Sequence, residues 1–187
     1  MDALLIAFFL NLLAEAGGRV PSVYRALLGR YRATALVVTG MVAALAANAA
    51  AGAVAGGMIA GMLTPEARSL FQALTLAGAG IGLLWTGRGT DDLSGWRLGP
   101  LLTAALGLAL LGFGEGPAFL TAGVAAARAD PWMAGIGGAA GGIAACLLIA
   151  AAGDALPRRA IAAFRKGVGI LFLIGALPIA MTALRLV

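Results

Sequence analysis

Histidine is missing from this chain of 187 residues, and cysteine occurs once, at Cys146. Without histidine there is no Ser/His or Cys/His nucleophile, no imidazole for the usual zinc centres and no histidine ligand for haem. A lone cysteine allows neither an intrachain disulfide nor a thiolate cluster. These gaps argue against an enzyme, and no resident cofactor is expected. Charge is scarce too: Asp, Glu, Lys and Arg make up 11% of the residues, against 61% hydrophobic ones. That is too little polar surface for a soluble globule of this size. The chain reads as an all-α integral membrane protein whose first partner is the lipid bilayer.

The charge that remains is mostly basic, with a net value of +5. The basic residues stand singly or in pairs between apolar runs and form no extended basic face. They therefore act as topology signals, and no nucleic-acid partner is expected. Lys166 is the one lysine among thirteen basic residues. With the abundance of Ala and Gly, that usage suits a GC-rich genome and a bacterial inner membrane. The first apolar stretch, Ala3 to Leu13, follows only Asp2 and has no basic n-region, so it reads as a retained span and not a signal peptide.

Glu15 and Arg19 fall about half-way through the first span, where an ion costs a few kcal/mol. Two accounts compete. Glu at i and Arg at i+4 is the favourable order for a pair on one helix face, so the two residues could simply neutralise each other. Alternatively, Gly17, Gly18 and Pro21 loosen the helix there and free backbone groups beside a buried charge, as interrupted helices do in secondary transporters.

Six spans are expected. Segment one starts near Asp2, breaks between Gly17 and Pro21 and continues to Arg32; segment two covers Thr34 to Leu63, and segment three runs from about Arg68 to Trp85. Segment four covers Leu98 to Phe113, breaks at Gly112 to Pro117 and continues from Ala118 to Arg128. Segment five runs from Asp130 to about Ala155, and segment six from Ala160 to Leu184, with Pro178 inside it. Segments two and five are rich in small residues, with Gly52/Gly56, Gly57/Gly61, Gly137/Gly141 and Gly138/Gly142 each four apart, a spacing that lets helices approach closely. Asn48 and Thr121 are polar residues that either line a site or bond across helices.

The halves repeat: 1–87 and 98–187 each hold three spans, separated by a polar linker at 88–97. Gly17 matches Gly114 at an offset of 97, and Phe71 matches Phe164 at 93. Three is an odd number, so the second half enters from the opposite side and the repeats are inverted. The connections after segments one, three and five hold nine basic residues; the opposite side holds Arg68, Arg128 and Arg185. That asymmetry places the linker in the cytoplasm and both termini outside it. A bundle of six short helices stands alone or pairs as a homodimer.

These residues resemble the Gdt-type cation exchangers, the transmembrane protein 165 family within the lysine-exporter superfamily. The family repeats Glu-x-Gly-Asp-(Lys/Arg)-(Thr/Ser) in each half. The first copy here is Glu15-Ala16-Gly17-Gly18-Arg19-Val20, with Gly18 at the Asp position. The second is Gly112-Phe113-Gly114-Glu115-Gly116-Pro117, with Glu115 at the Asp position and neither the leading Glu nor the basic residue. The layout resembles the family along essentially the whole chain, while the motifs are degraded. The resemblance implies a secondary transporter exchanging Mn2+ or Ca2+ for protons where the two interrupted helices meet. It makes Glu15 and Glu115 the candidate cation and proton ligands, with Gly17, Gly18, Arg19, Gly114, Asn48 and Thr121 in support. The competing expectations are a paralogue that kept the fold and lost transport, serving as a structural or regulatory membrane protein, and an exporter of another small solute.

Overall fold

The computed structural model describes residues 1–85, 93–113, 115–152 and 157–185. These residues form eight helices: α1 (Asp2–Ala16), α2 (Val20–Arg30), α3 (Thr34–Met62), α4 (Pro65–Leu84), α5 (Gly99–Phe113), α6 (Gly116–Arg128), α7 (Pro131–Ala152) and α8 (Arg158–Ala183). No strand occurs among them. Four helices, α3, α4, α7 and α8, are long and apolar enough to cross a membrane. The number rises to six if α1 with α2 and α5 with α6 each count as one bent span. The bends are 64° and 66°. The apolar composition and the helix lengths together fit an integral membrane protein.

Three helix starts lie earlier than the residue pattern suggests, that of α8 at Arg158 and not Ala160, and those of α4 and α6 for one shared reason. Thr64 caps α4, its hydroxyl accepting from the Ala67 amide at 3.4 Å, and Pro65 takes the first helical position. Pro117 likewise sits in the first turn of α6, which therefore begins at Gly116 and not at Ala118. Proline carries no N–H and its φ is already helical, so the first turn accepts it.

Glycine decides how closely the helices pack. A β-carbon at Gly52 or Gly56 of α3 would strike the Ala118 or Ala122 carbonyl of α6, and one at Gly137 or Gly141 of α7 would strike the Leu4 or Phe8 carbonyl of α1. A β-carbon at Gly40 of α3 would lie 2.7 Å from the Leu101 carbonyl of α5. Thus α1 beds on α7 and α5 on α3, each against the small-residue helix of the other half. Backbones brought this close gain dispersion contacts that lipid cannot supply.

Two larger core clusters result. One gathers Val20, Tyr24, Leu27, Val37, Met41, Leu108 and Cys146 from α2, α3, α5 and α7. The other gathers Ala14, Leu76, Leu83, Leu120 and Phe172 from α1, α4, α6 and α8. Each bent pair passes from one cluster to the other at its break, α1 to α2 and α5 to α6. The breaks therefore lie at the seam between the clusters.

The polar linker is only partly described: 86–92, including Arg88, Asp91 and Asp92, lie outside the described residues. Its later part is tied down. Arg30 donates to the Leu93 carbonyl at 2.8 Å and to the Trp96 carbonyl at 2.9 Å, and Leu93 is buried beside Gly107. Arg165 near the start of α8 donates to the Leu83 and Trp85 carbonyls at the end of α4. At the far end of α4, Glu66 meets Arg185 at 3.1 Å. The ends of α2 and α4 and the early part of α8 thus share one end of the bundle, and the start of α4 and the end of α8 share the other.

Candidate functional site

The first break follows from residues that cannot hold a helix. Gly17 and Gly18 pay a high entropic cost in helical geometry, and Pro21 belongs in the first turn of a new helix. Helix α1 accordingly stops at Ala16, the Gly18 amide bonds the Glu15 carbonyl at 2.8 Å, and α2 restarts at Val20. At the second break the Glu115 amide bonds the Gly112 carbonyl at 3.2 Å, and α6 restarts at Gly116. Neither Arg19 nor Glu115, the residues capping α2 and α6, makes a side-chain cap bond. Both carry their charge outward from a helix start.

The two breaks bring the two carboxylates together. A β-carbon on Gly18 would lie 3.1 Å from Glu15 Oε2 and 3.4 Å from Glu115 Oε2, so these oxygens are no more than 6.5 Å apart. Gly18 leaves the space between them open, and any side chain at this position would fill it. Glu15 is 1% exposed and its Oε2 has no hydrogen-bond partner. Glu115 is less enclosed and forms an ion pair with Arg19, Nε to Oε1, at 3.7 Å.

That ion pair corrects one of the two accounts of Glu15 and Arg19. The i, i+4 pairing needs an unbroken helix from residue 15 to residue 19, and the helix ends at Ala16. Arg19 instead reaches across to the other half of the chain.

Polar groups accumulate around Glu15. Asn11, one helical turn earlier on the same face, donates to the Ala7 carbonyl at 2.8 Å and to Thr121 Oγ1 at 3.1 Å. Asn48 donates to the Ala109 carbonyl at 3.1 Å. Asn11, Glu15 and Asn48 line a cavity of about 10 Å³, the room of roughly one water. Thr121 is buried and spent on Asn11 and the Pro117 carbonyl, so it ties α1 to α6 and does not face the open space. Gly114 lies outside the described residues. Asn11 belongs in the constellation although its residue type alone did not single it out; its i, i+4 relation to Glu15 was the available signal.

A second cavity, of about 650 Å³, lies on the other side of Gly18 and is walled by Arg19, Glu115, Arg165, Phe71 and Phe119 among others. Arg165 had no local signal. Its stem crosses the first break, with Cβ and Cγ each 3.0 Å from where a Gly17 β-carbon would stand.

Among the described residues no three Asp, Glu, Cys or His side chains come together. Two carboxylates are available, with the Asn11 and Asn48 amides close by. A hard divalent ion takes six to eight oxygen ligands or keeps several waters. Two carboxylates and two amides fall short of that number, so water would have to complete the shell of any such ion.

No protein-family model, no curated protein and no solved structure matches this chain. The features described are those of a helical membrane protein in which two broken helices meet at a pair of carboxylates. The likeness to Gdt-type exchangers rests on the motif residues and the helix layout.

Proposed function

We propose that this protein is a secondary transporter of the inner membrane that exchanges a divalent cation, Mn2+ or Ca2+, for protons at Glu15 and Glu115. In this reading the six spans form two inverted three-helix repeats, with both termini outside the cytoplasm. Several observations support it: the near-equal bends at the two breaks, the reciprocal seating of α1 on α7 and α5 on α3, and the grouping of helix ends. The observation that carries the proposal is the buried, unpartnered Glu15 Oε2 facing Glu115 across the gap left by Gly18. An ionisable group inside a membrane bundle is costly and persists where it serves a pathway. Two carboxylates facing one small space hold a cation or a proton there, and alternation between the two is the exchange.

The ion pair between Arg19 and Glu115, together with the lack of a third carboxylate among the described residues, favours a second reading. In it the site is already neutralised, and the protein is a paralogue that acts as a structural or regulatory membrane partner. Proteoliposomes separate the two readings. They would hold a dye sensitive to Mn2+ or Ca2+ and experience an imposed pH gradient, for the wild type, Glu15→Gln and Glu115→Gln. Gradient-driven uptake that either substitution abolishes is the expected result. No uptake of either ion by folded wild-type protein would sink the exchanger reading and leave the second.

A further inference from the structure

We infer that Arg19 is the resident counter-cation of the carboxylate pair: its guanidinium occupies Glu115 when the site is empty, and a transported cation binds by displacing it. This rests on reading Glu15 and Glu115 as a cation site. Arg19 would then set the affinity of that site without ligating anything.

The surroundings of the pair support displacement over a fixed structural contact. The side-chain contact is loose, one guanidinium N···O approach of 3.7 Å, where a strong charge-assisted bond closes to about 2.7–2.9 Å; the Arg19 backbone N–H also donates to the Glu115 carboxylate, so it is the side chain and not the main chain that leaves. Arg19 lies just before the first residue of α2, and its long side chain can swing away by rotation about its own bonds. Its side chain is 43% exposed and borders the 650 Å³ cavity, which gives it somewhere to go. Arg165, the other cation on that wall, is held by the Leu83 and Trp85 carbonyls and stays as Arg19 moves. Meanwhile the neighbouring carboxylate, Glu15, has its Oε2 free to receive an incoming ion. A cation between the two acids and a guanidinium on one of them repel each other across a few ångströms of low dielectric, so occupancy by one expels the other.

The test is calorimetric titration of the purified full chain with Mn2+ and Ca2+, comparing wild type, Arg19→Gln, Glu15→Gln and Glu115→Gln. Arg19→Gln is expected to bind at least tenfold more tightly than wild type, and either acid substitution to remove binding. Tighter binding by Arg19→Gln with a blank wild type also supports displacement. Equal or weaker binding by folded Arg19→Gln, with both acids still required, overturns the displacement role and leaves the cation site standing. No binding by any variant overturns both. If Arg19→Gln does not fold, labelling of the wild type with an arginine-selective dicarbonyl, read at Arg19 by mass spectrometry, replaces it. Saturating Mn2+ should then raise labelling at least threefold, and unchanged labelling overturns the role.

Discussion

Arg19 and Glu115 stand 3.7 Å apart across the two halves of the chain, 96 residues from each other in sequence. Glu15, four residues before Arg19, keeps a buried oxygen without a partner. One break in one helix produces both facts: by ending α1 at Ala16 it frees Arg19 from Glu15 and turns it toward α6. Glu15, Glu115, Arg19 and Arg165 then meet at the seam between two apolar clusters. The unpartnered Glu15 Oε2 is the feature on which the proposed cation site rests.

Glu15 should trade stability for function. A buried polar atom lacking a hydrogen bond costs about 1–3 kcal/mol. Glu15→Met, similar in length and apolar, is therefore expected to raise thermal stability in detergent by about 1–2 kcal/mol while eliminating gradient-driven flux. Unfolding curves and uptake on the same preparation check both halves.

Glycines that look alike in sequence should behave oppositely. Gly56→Ala drives a β-carbon into the Ala122 carbonyl, so α3 must move off α6 at a cost of about 1–3 kcal/mol. Gly78 and Gly61 have nothing within 4 Å of an added β-carbon, and alanine there should be neutral or stabilise by about 0.5–1 kcal/mol through backbone entropy. Thermal unfolding of the three single variants gives the comparison directly.

Arg165 caps the last carbonyls of α4, bonding Leu83 at 2.7 Å and also Trp85. Arg165→Gln should fray that end: amide exchange in the last turn of α4 is expected to quicken at least tenfold, with α3 and α7 unchanged. Equal protection in both proteins would show that lipid or water satisfies those carbonyls.

Asn11 and Thr121 bond across α1 and α6 at 3.1 Å in a fully packed setting. A double-mutant cycle of Asn11→Ala and Thr121→Val should give a coupling of about 0.6–1.7 kcal/mol, the range seen for interhelical bonds in membranes. Zero coupling would assign Asn11 wholly to the Ala7 carbonyl.

Cys146 is fully buried among Tyr24, Met41 and Leu108. Maleimide should fail to label it in native membranes and label it stoichiometrically after denaturation. Labelling in native membranes would mean that α7 opens away from α2 and α3.

Much of the helical layout was legible because bilayer-crossing helices announce themselves locally. Apolar runs of the right length, Pro at helix starts and Gly at breaks put the helix boundaries within a few residues among the described residues, the expected end of segment five at Ala155 lying outside them. Glu15 and Glu115 stood out for an equally local reason, a carboxylate beside Gly or Pro within an apolar stretch. Asn48 and Thr121 were legible only as polar residues; which of them faces the gap depends on helix rotation. Arg165 was invisible as a site residue, since its carbonyl partners lie 82 and 80 residues away.

By itself, then, the sequence determined an all-helical chain with the apolar composition of a membrane protein, two broken helices and the residues at their breaks. Composition, propensity and the cost of charge in lipid all act within a few residues of one position. The tertiary structure decided the pairing: Arg19 with Glu115 and not with Glu15, Asn11 with Thr121, Arg165 with the end of α4. Each is a long-range choice made by glycine-lined helix contacts, which set how two backbones meet, and no local pattern encodes that register.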